Sequence, residues 1–211
     1  PHHLFALSCT VMRTADGATT VARDLAMAFD SAGRLHVVWT AQTGAARLLQ
    51  HARIDAPGGQ PALIQTLAGA DDRPTSAPAA REPWVEFPAL APAPDGSILI
   101  AWQQSQGIGY AIQTARIEAD GTTLSLGSVS GGTGSGLNPQ ILSTDPPRIA
   151  WQEVTAIGHH LRVDEWDGEE GRWRPSALEL PARLFEEFGQ AQLQLTPDGR
   201  LIGLWRDLQD R

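Results

Sequence analysis

One short pattern recurs four times and limits what this chain can fold into more than any other feature. It reads GRLHVVW, ending at Trp39; GSILIAW, ending at Trp102; PRIAW, ending at Trp151; and GRLIGLW, ending at Trp205. Gly33 to Trp39, Gly96 to Trp102 and Gly199 to Trp205 are each 6 residues apart. Alternate residues of these stretches are apolar on both sides. Leu35, Val37 and Trp39 oppose His36 and Val38, and Ile98, Ile100 and Trp102 oppose Leu99 and Ala101. A period of two with both faces apolar describes a strand buried on both sides. A one-sided sheet has no need of that. Small antiparallel sheets stacked face to face do.

The spacing of the pattern sets the unit. Trp39 to Trp102 is 63 residues, Trp102 to Trp151 is 49 and Trp151 to Trp205 is 54. Units of about 40–50 residues with four strands each are the signature of propeller blades. The expected fold is therefore all-β, a β-propeller of four four-stranded blade units. Units fall at about 24–67, 87–128 and 138–180, and a fourth combines 188–211 with 1–22. In the first unit, DLAMAFD, RLHVVW, ARLLQHARI and ALIQTL read as successive strands, joined by turns of the Asp-x-x-Gly and Gly-Gly kind that supply positive φ. LLQHARIDAPGG and AIQTARIEADG match between the first two units. Residues 68–86 form the longest connection, the kind of loop that carries function or moves. Residues 129–136, rich in Gly and Ser, read as a flexible connection.

The last unit has only two strands, and residues 1–22 look like the two that it lacks. GHHLRV after Trp151 and PHHLFA at the N-terminus fall into register when Arg211 is placed before Pro1. Closing a ring in this way removes open sheet edges. Half of an eight-bladed dimeric ring and a fragment of a six- to eight-bladed propeller are the alternatives. The chain begins at Pro1 without an initiator Met, which suits a processed or excised piece.

Composition excludes several classes. The formal net charge is −8, so no basic patch exists to displace counterions from a nucleic-acid backbone. No run of about 18 apolar residues exists, so no membrane span is expected. Cys9 is the single cysteine, which rules out an intrachain disulfide and a cysteine zinc cluster. His159 and His160 are adjacent on a strand and point to opposite faces, so they do not suit one metal ion. No cofactor and no metal are expected. The compartment stays open, with a secreted or cell-surface protein as the candidate.

FPALAPAPDGSILIAW best carries a pattern that resembles the sialidase-like family of β-propellers, whose blades read roughly P-x-apolar, a spacer, then G-x-apolar-x-apolar-x-W. The resemblance covers nearly the whole chain and implies the fold. The family's Asp-box, S-x-D-x-G-x-T-W, occurs in no repeat, and its arginine cluster and tyrosine nucleophile do not map here. The activity is therefore not implied. The resemblance also implies a place for ligand: the face formed by the starts of the innermost strands and the ends of the second strands. That selects Asp24, Glu86, Asn138, Glu186 and Glu187 at the starts, and Gln103, Gln152, Glu153, Arg206 and Asp207 at the ends. In the long loop, Arg81 and Trp84 complete the expected ligand-binding set, with Trp84 as a stacking face and Arg206 as a planar fork for a carboxylate or diol.

Amides, carboxylates and an arginine in a ring suit sugar or polar peptide recognition. No complete catalytic set is visible. The expectation is thus a non-catalytic module binding a carbohydrate or protein ligand. The competing expectation is a propeller-type glycoside hydrolase using carboxylates such as Asp24, Glu86, Glu153 and Asp207 at the channel mouth. A structural blade array within a larger secreted or surface protein is the third.

Overall fold

The computed structural model describes residues 21–43, 46–56, 58–69, 84–106, 108–129, 134–142, 144–177, 192–196 and 200–204. It is all-β. Sheet 1 consists of β1 (Val21–Phe29), β2 (Leu35–Thr43), β3 (Ala46–Ile54) and β4 (Leu63–Ala68). Sheet 2 consists of β5 (Val85–Pro92), β6 (Ile98–Gln106), β7 (Gly109–Ile117) and β8 (Thr123–Ser128). Sheet 3 consists of β9 (Ser135–Leu142), β10 (Arg148–Thr155), β11 (Gly158–Asp167) and β12 (Arg172–Pro175). A two-stranded unit, β13 (Gln192–Leu195) with β14 (Leu201–Leu204), follows. Every pairing is antiparallel between sequence neighbours, which is the meander of a propeller blade.

Hairpin turns start the strands that carry Trp39 and Trp102. Gly33 (φ 76°) and Gly96 (φ 85°) occupy the left-handed position and donate their N–H to the carbonyls of Asp30 and Ala93. Any side chain there would be strained, which is why the pattern opens on Gly.

The two-faced strands stack as the alternation requires. Val38 and Leu49 of sheet 1 form one core with Val85, Ile98, Ile100, Trp102, Ala115 and Ile117 of sheet 2. Ala101, Ile112 and Val129 on the other side of sheet 2 pack with Ile149 and Trp151 of sheet 3. Leu142, Ala150 and Val163, on the far side of sheet 3, meet Leu193 of β13, whose N–H is taken by Gln140 Oε1 at 2.7 Å. Trp39, Trp102 and Trp151 are all core residues. Trp102 faces the sheet before its own, and Trp151 does the same. Trp166 and Trp173 meet edge-on at 5.3 Å, and Trp173 Nε1 donates to Thr114 Oγ1 of sheet 2. On the side of sheet 1 turned away from sheet 2, Leu25, Met27 and Phe29 remain about half exposed, at 50%, 48% and 48%.

Several boundaries differ from the sequence reading. β1 begins at Val21, so Val21 and Ala22 pair with Gln42 and Ala41 in the first sheet and do not belong to an outer strand of a closing unit. β5 and β9 likewise start earlier than FPALAPAP and NPQILS suggest. Residues 135 and 136, assigned to a flexible connection, are strand. Ser135 Oγ accepts the Tyr110 N–H at 2.7 Å, which ties the start of β9 to sheet 2. The expected closure by residues 3–12 and 18–20 beside the strand ending at Trp205 lies outside the described residues.

Candidate functional site

The three earlier starts have one cause. Each innermost strand carries a β-bulge, and the residue in it has positive φ: Asp24 (47°), Phe87 (48°) and Asn138 (50°). Register shifts lie between Arg23 and Ala26, between Glu86 and Ala89, and opposite Ala150 to Gln152. Asp and Asn tolerate the left-handed region, whereas Phe is a genuine outlier there. Strain repeated at one level of three strands marks a built feature, since bulges re-aim side chains and such strain clusters at functional sites. Beyond the bulge each strand alternates normally. Before it, the chain presents polar groups at the end of the array where the second strands finish.

These groups meet across the sheets. In sheet 1, Thr40 Oγ1 donates to Asp24 Oδ2 at 3.0 Å. Asp24 Oδ1 has no partner among the described residues. In sheet 2, Gln103 Nε2 donates to Glu86 Oε2 at 3.1 Å, while Arg47, at the start of β3 in sheet 1, pairs with Glu86 Oε1. Gln103 Oε1 accepts the backbone N–H of Asn138 at 3.2 Å and so reaches sheet 3. Asn138 Nδ2 donates to Gln152 Oε1 at 3.3 Å, and Gln152 Nε2 donates to His159 Nδ1 at 2.5 Å. A hydrogen-bonded belt thus runs from Arg47 through Glu86, Gln103, Asn138 and Gln152 to His159, spanning three sheets. Glu153 lies beside it, with Arg162 Nε donating to its Oε2 at 2.6 Å.

Trp84 stands on the rim at 43% exposure. The Arg47 guanidinium covers one face of its ring, 4.1 Å from the centroid, a cation–π contact that leaves the other face free of Arg47. Its backbone N–H donates to Ser105 Oγ at 2.7 Å. Ile108 and Ile157, at the tips of the β6–β7 and β10–β11 hairpins, are exposed on the same end.

Of the residues selected from sequence, Asp24, Trp84, Glu86, Gln103, Asn138, Gln152 and Glu153 are placed at this end, and five of them are joined directly or through one partner in the belt. Arg81, Glu186, Glu187, Arg206 and Asp207 lie outside the described residues. Sequence reasoning missed Arg47, Thr40, His159 and Arg162. Arg47 could have been found from its position, since the start of a third strand faces the same end as the finish of the second. Among the described residues no group of three or more His, Cys, Asp or Glu side chains is arranged to hold a metal ion. No described helix is long and apolar enough to cross a membrane.

No protein-family model matches the chain, and no curated protein matches it in sequence. The solved structures it resembles are propeller-like. A protein of unknown function from Dyadobacter fermentans superposes with a TM-score of 0.57 at 13% identity over 89% of this chain and 62% of its own. A family 117 glycoside hydrolase of the marine bacterium Zobellia galactanivorans gives 0.50 at 13% identity over 75% of this chain and 56% of its own. Another structure described as a glycoside hydrolase gives 0.50 at 11% identity, over 93% of this chain and 48% of its own. The chain therefore spans about half to three-fifths of the length of these structures. At such identities the likeness shows the fold. It also corrects the expectation of a non-catalytic binding module: those of these similar structures that carry an activity in their description are glycoside hydrolases, the alternative reading. The sialidase-like resemblance gains no family match.

Proposed function

We propose that the chain carries the channel mouth of a propeller-type glycoside hydrolase, with Asp24 and Glu153 as its catalytic carboxylates. The observation that carries this reading is the contrast among the three mouth carboxylates. Glu86 has both oxygens engaged, by Gln103 and Arg47, which makes it a fixed charge within the belt. Asp24 and Glu153 each have one oxygen held, by Thr40 and Arg162, and one oxygen free of described partners. Glycoside hydrolysis requires two carboxyl groups, one proton donor and one base or nucleophile, on either side of the bond.

Asp24 takes the proton of the attacking water as the water oxygen bonds to the anomeric carbon. Glu153 gives its proton to the glycosidic oxygen as the C–O bond breaks. Trp84 offers its uncovered face to a neighbouring sugar ring. The belt keeps the flanking polar groups in place without reorganisation during the reaction.

The test is turnover of a panel of polysaccharides and chromogenic glycosides by the intact protein. Asp24→Asn and Glu153→Gln each lower kcat by about 10²–10⁴-fold with folding unchanged by circular dichroism. Trp84→Ala raises KM about tenfold and leaves kcat near its starting value, as expected for loss of a stacking contact worth roughly 1–3 kcal/mol. Absence of turnover on every glycoside, or turnover that survives both carboxylate changes, removes this reading.

A further inference from the structure

Trp151 Nε1 is the one buried side-chain polar atom without a hydrogen-bond partner among the described residues, and the residue is only 6% exposed. A buried donor left unpaired costs about 1–3 kcal/mol, so its persistence asks for a reason. The equivalent tryptophan in sheet 2 has a partner. Trp102 Nε1 donates to Gln104 Oε1, two residues further along the same strand, at 3.1 Å.

Sheet 3 repeats that register. Trp151 pairs with Arg162 as Trp102 pairs with Gln113, and Glu153 pairs with His160 as Gln104 pairs with Ala111. Glu153 is therefore the side chain placed to accept from Trp151. It turns instead to Arg162, which stands where sheet 2 has the neutral Gln113. Gly134 closes off the other side: a Cβ there would lie 2.6 Å from Glu153 Cγ and 2.9 Å from its Oε1.

We infer that Glu153 has two stations, Arg162 and the Trp151 indole N–H, and that Trp151 is the positioning residue for the proton-donating state. This rests on the hydrolase reading for its catalytic part. A carboxylate accepts on both oxygens and suits the guanidinium fork. A neutral carboxyl has one accepting oxygen and one O–H. A single N–H donor satisfies the first and leaves the second free to protonate a glycosidic oxygen. After the proton is given up, the carboxylate returns to Arg162. The charged and titratable groups on the facing sides of sheets 2 and 3 are Arg162, His160 and Asp164 on β11, Tyr110 and Arg116 on β7 and Glu86 on β5, and of these Arg162 alone is bonded to Glu153.

Two measurements test this, and they fail separately. In ¹H–¹⁵N spectra of the intact protein, with the Trp151 indole resonance assigned by its loss in Trp151→Phe, Arg162→Gln moves that resonance downfield, and Arg162→Gln combined with Glu153→Ala returns it. An indole resonance indifferent to Arg162→Gln overturns the two-station arrangement whether or not the protein is a hydrolase. In kinetics, Trp151→Phe lowers kcat about tenfold with KM unchanged and shifts the alkaline limb of the kcat–pH profile to lower pH. An unaltered profile overturns the positioning role. Absence of all glycoside turnover removes the hydrolase reading and leaves the spectroscopic result to decide the contact.

Discussion

The contact between sheets 1 and 2 and the contact between sheets 2 and 3 bury similar apolar side chains and treat their polar groups in opposite ways. In the first, Asp30 Oδ2 accepts from His36 Nε2 (3.2 Å), His36 Nδ1 accepts from His51 Nε2 (3.0 Å), and His51 Nδ1 accepts from Gln65 Nε2 (3.2 Å). Gln65 then donates to Thr123 Oγ1 of sheet 2 at 3.0 Å. Asp30 only accepts, so one tautomer of each ring satisfies the whole chain, and both rings are neutral in it. Burial, with help from the charges of His36 and Arg53, brings His51 down to about 4. Burial likewise lowers His36, against the opposing pull of Asp30. For Asp30, burial pushes upward, but hydrogen bonds from Arg34 and His36 hold it below the usual carboxylate range.

In the second contact two groups are held at a cost, one without a partner and one with its charge disfavoured by burial. One is Trp151 Nε1. The other is Asp164, buried on the same face of sheet 3, which burial raises to about 6 against the opposing charge of Arg162. A complete buried network specifies one arrangement of two sheets, whereas groups held at such a cost are expected where an arrangement serves something besides stability. The mouth residues that differ most from their counterparts, Glu153 and Arg162, belong to this second contact.

The largest effect expected from breaking the first network is that of His36→Phe. It leaves Asp30 and His51 without their shared partner, and urea unfolding at pH 7 should show a loss of about 2–4 kcal/mol. Acidification acts on the same network. The folded values of His36 and His51 lie below the unfolded value of 6.5, so stability is full above that pH and falls as pH drops toward about 4. For His51 the loss is on the order of 3 kcal/mol. Urea midpoints measured from pH 7.5 to 4.5 should fall in the unaltered chain and somewhat less in His36→Phe, which loses the His36 titration but keeps the burial that lowers His51.

Asp164 has the reverse sign. Its folded value of about 6 lies above the unfolded 3.8, so its contribution is favourable below the unfolded value and is lost as pH rises through about 6. Asp164→Asn should stabilise the protein by about 1–3 kcal/mol at pH 7.5 and have little effect at pH 4, by the same titration. The smallest difference separates the two tryptophans. Trp102→Phe removes a made hydrogen bond and Trp151→Phe an unmade one, so the first should cost about 1 kcal/mol more in thermal or urea unfolding. Equal costs would mean that Trp151 Nε1 is satisfied in solution.

The strands carrying Trp39, Trp102 and Trp151 were legible because two-sided burial forces apolar residues onto both faces, although each runs four residues past its tryptophan, where polar residues hid the continuation. The third strand of the first unit, Ala46–Ile54, falls where ARLLQHARI places it. The innermost strands were half legible. A bulge at Asp24, Phe87 or Asn138 flips the alternation, so the residues before it drop out of phase with those after it and read as loop. The site residues were legible as a polar level at the strand ends, but not as a belt. Arg47 bonds Glu86 and covers Trp84, both from the next sheet, and nothing in the local sequence of ARLLQ announces partners so far along the chain.

Sequence by itself determined the repeat, the two-faced strands and the Gly-opened turns, because these depend on backbone sterics and on burial, which local alternation records. Tertiary structure decided which polar groups meet. Gln104 and Glu153 occupy the same place after their tryptophans, yet one bonds the indole and the other does not. The difference is made across the strand pair, where Gln113 in one sheet is Arg162 in the next. A charge on a neighbouring strand outbids a neutral donor for a carboxylate, and only the paired register brings that charge within reach.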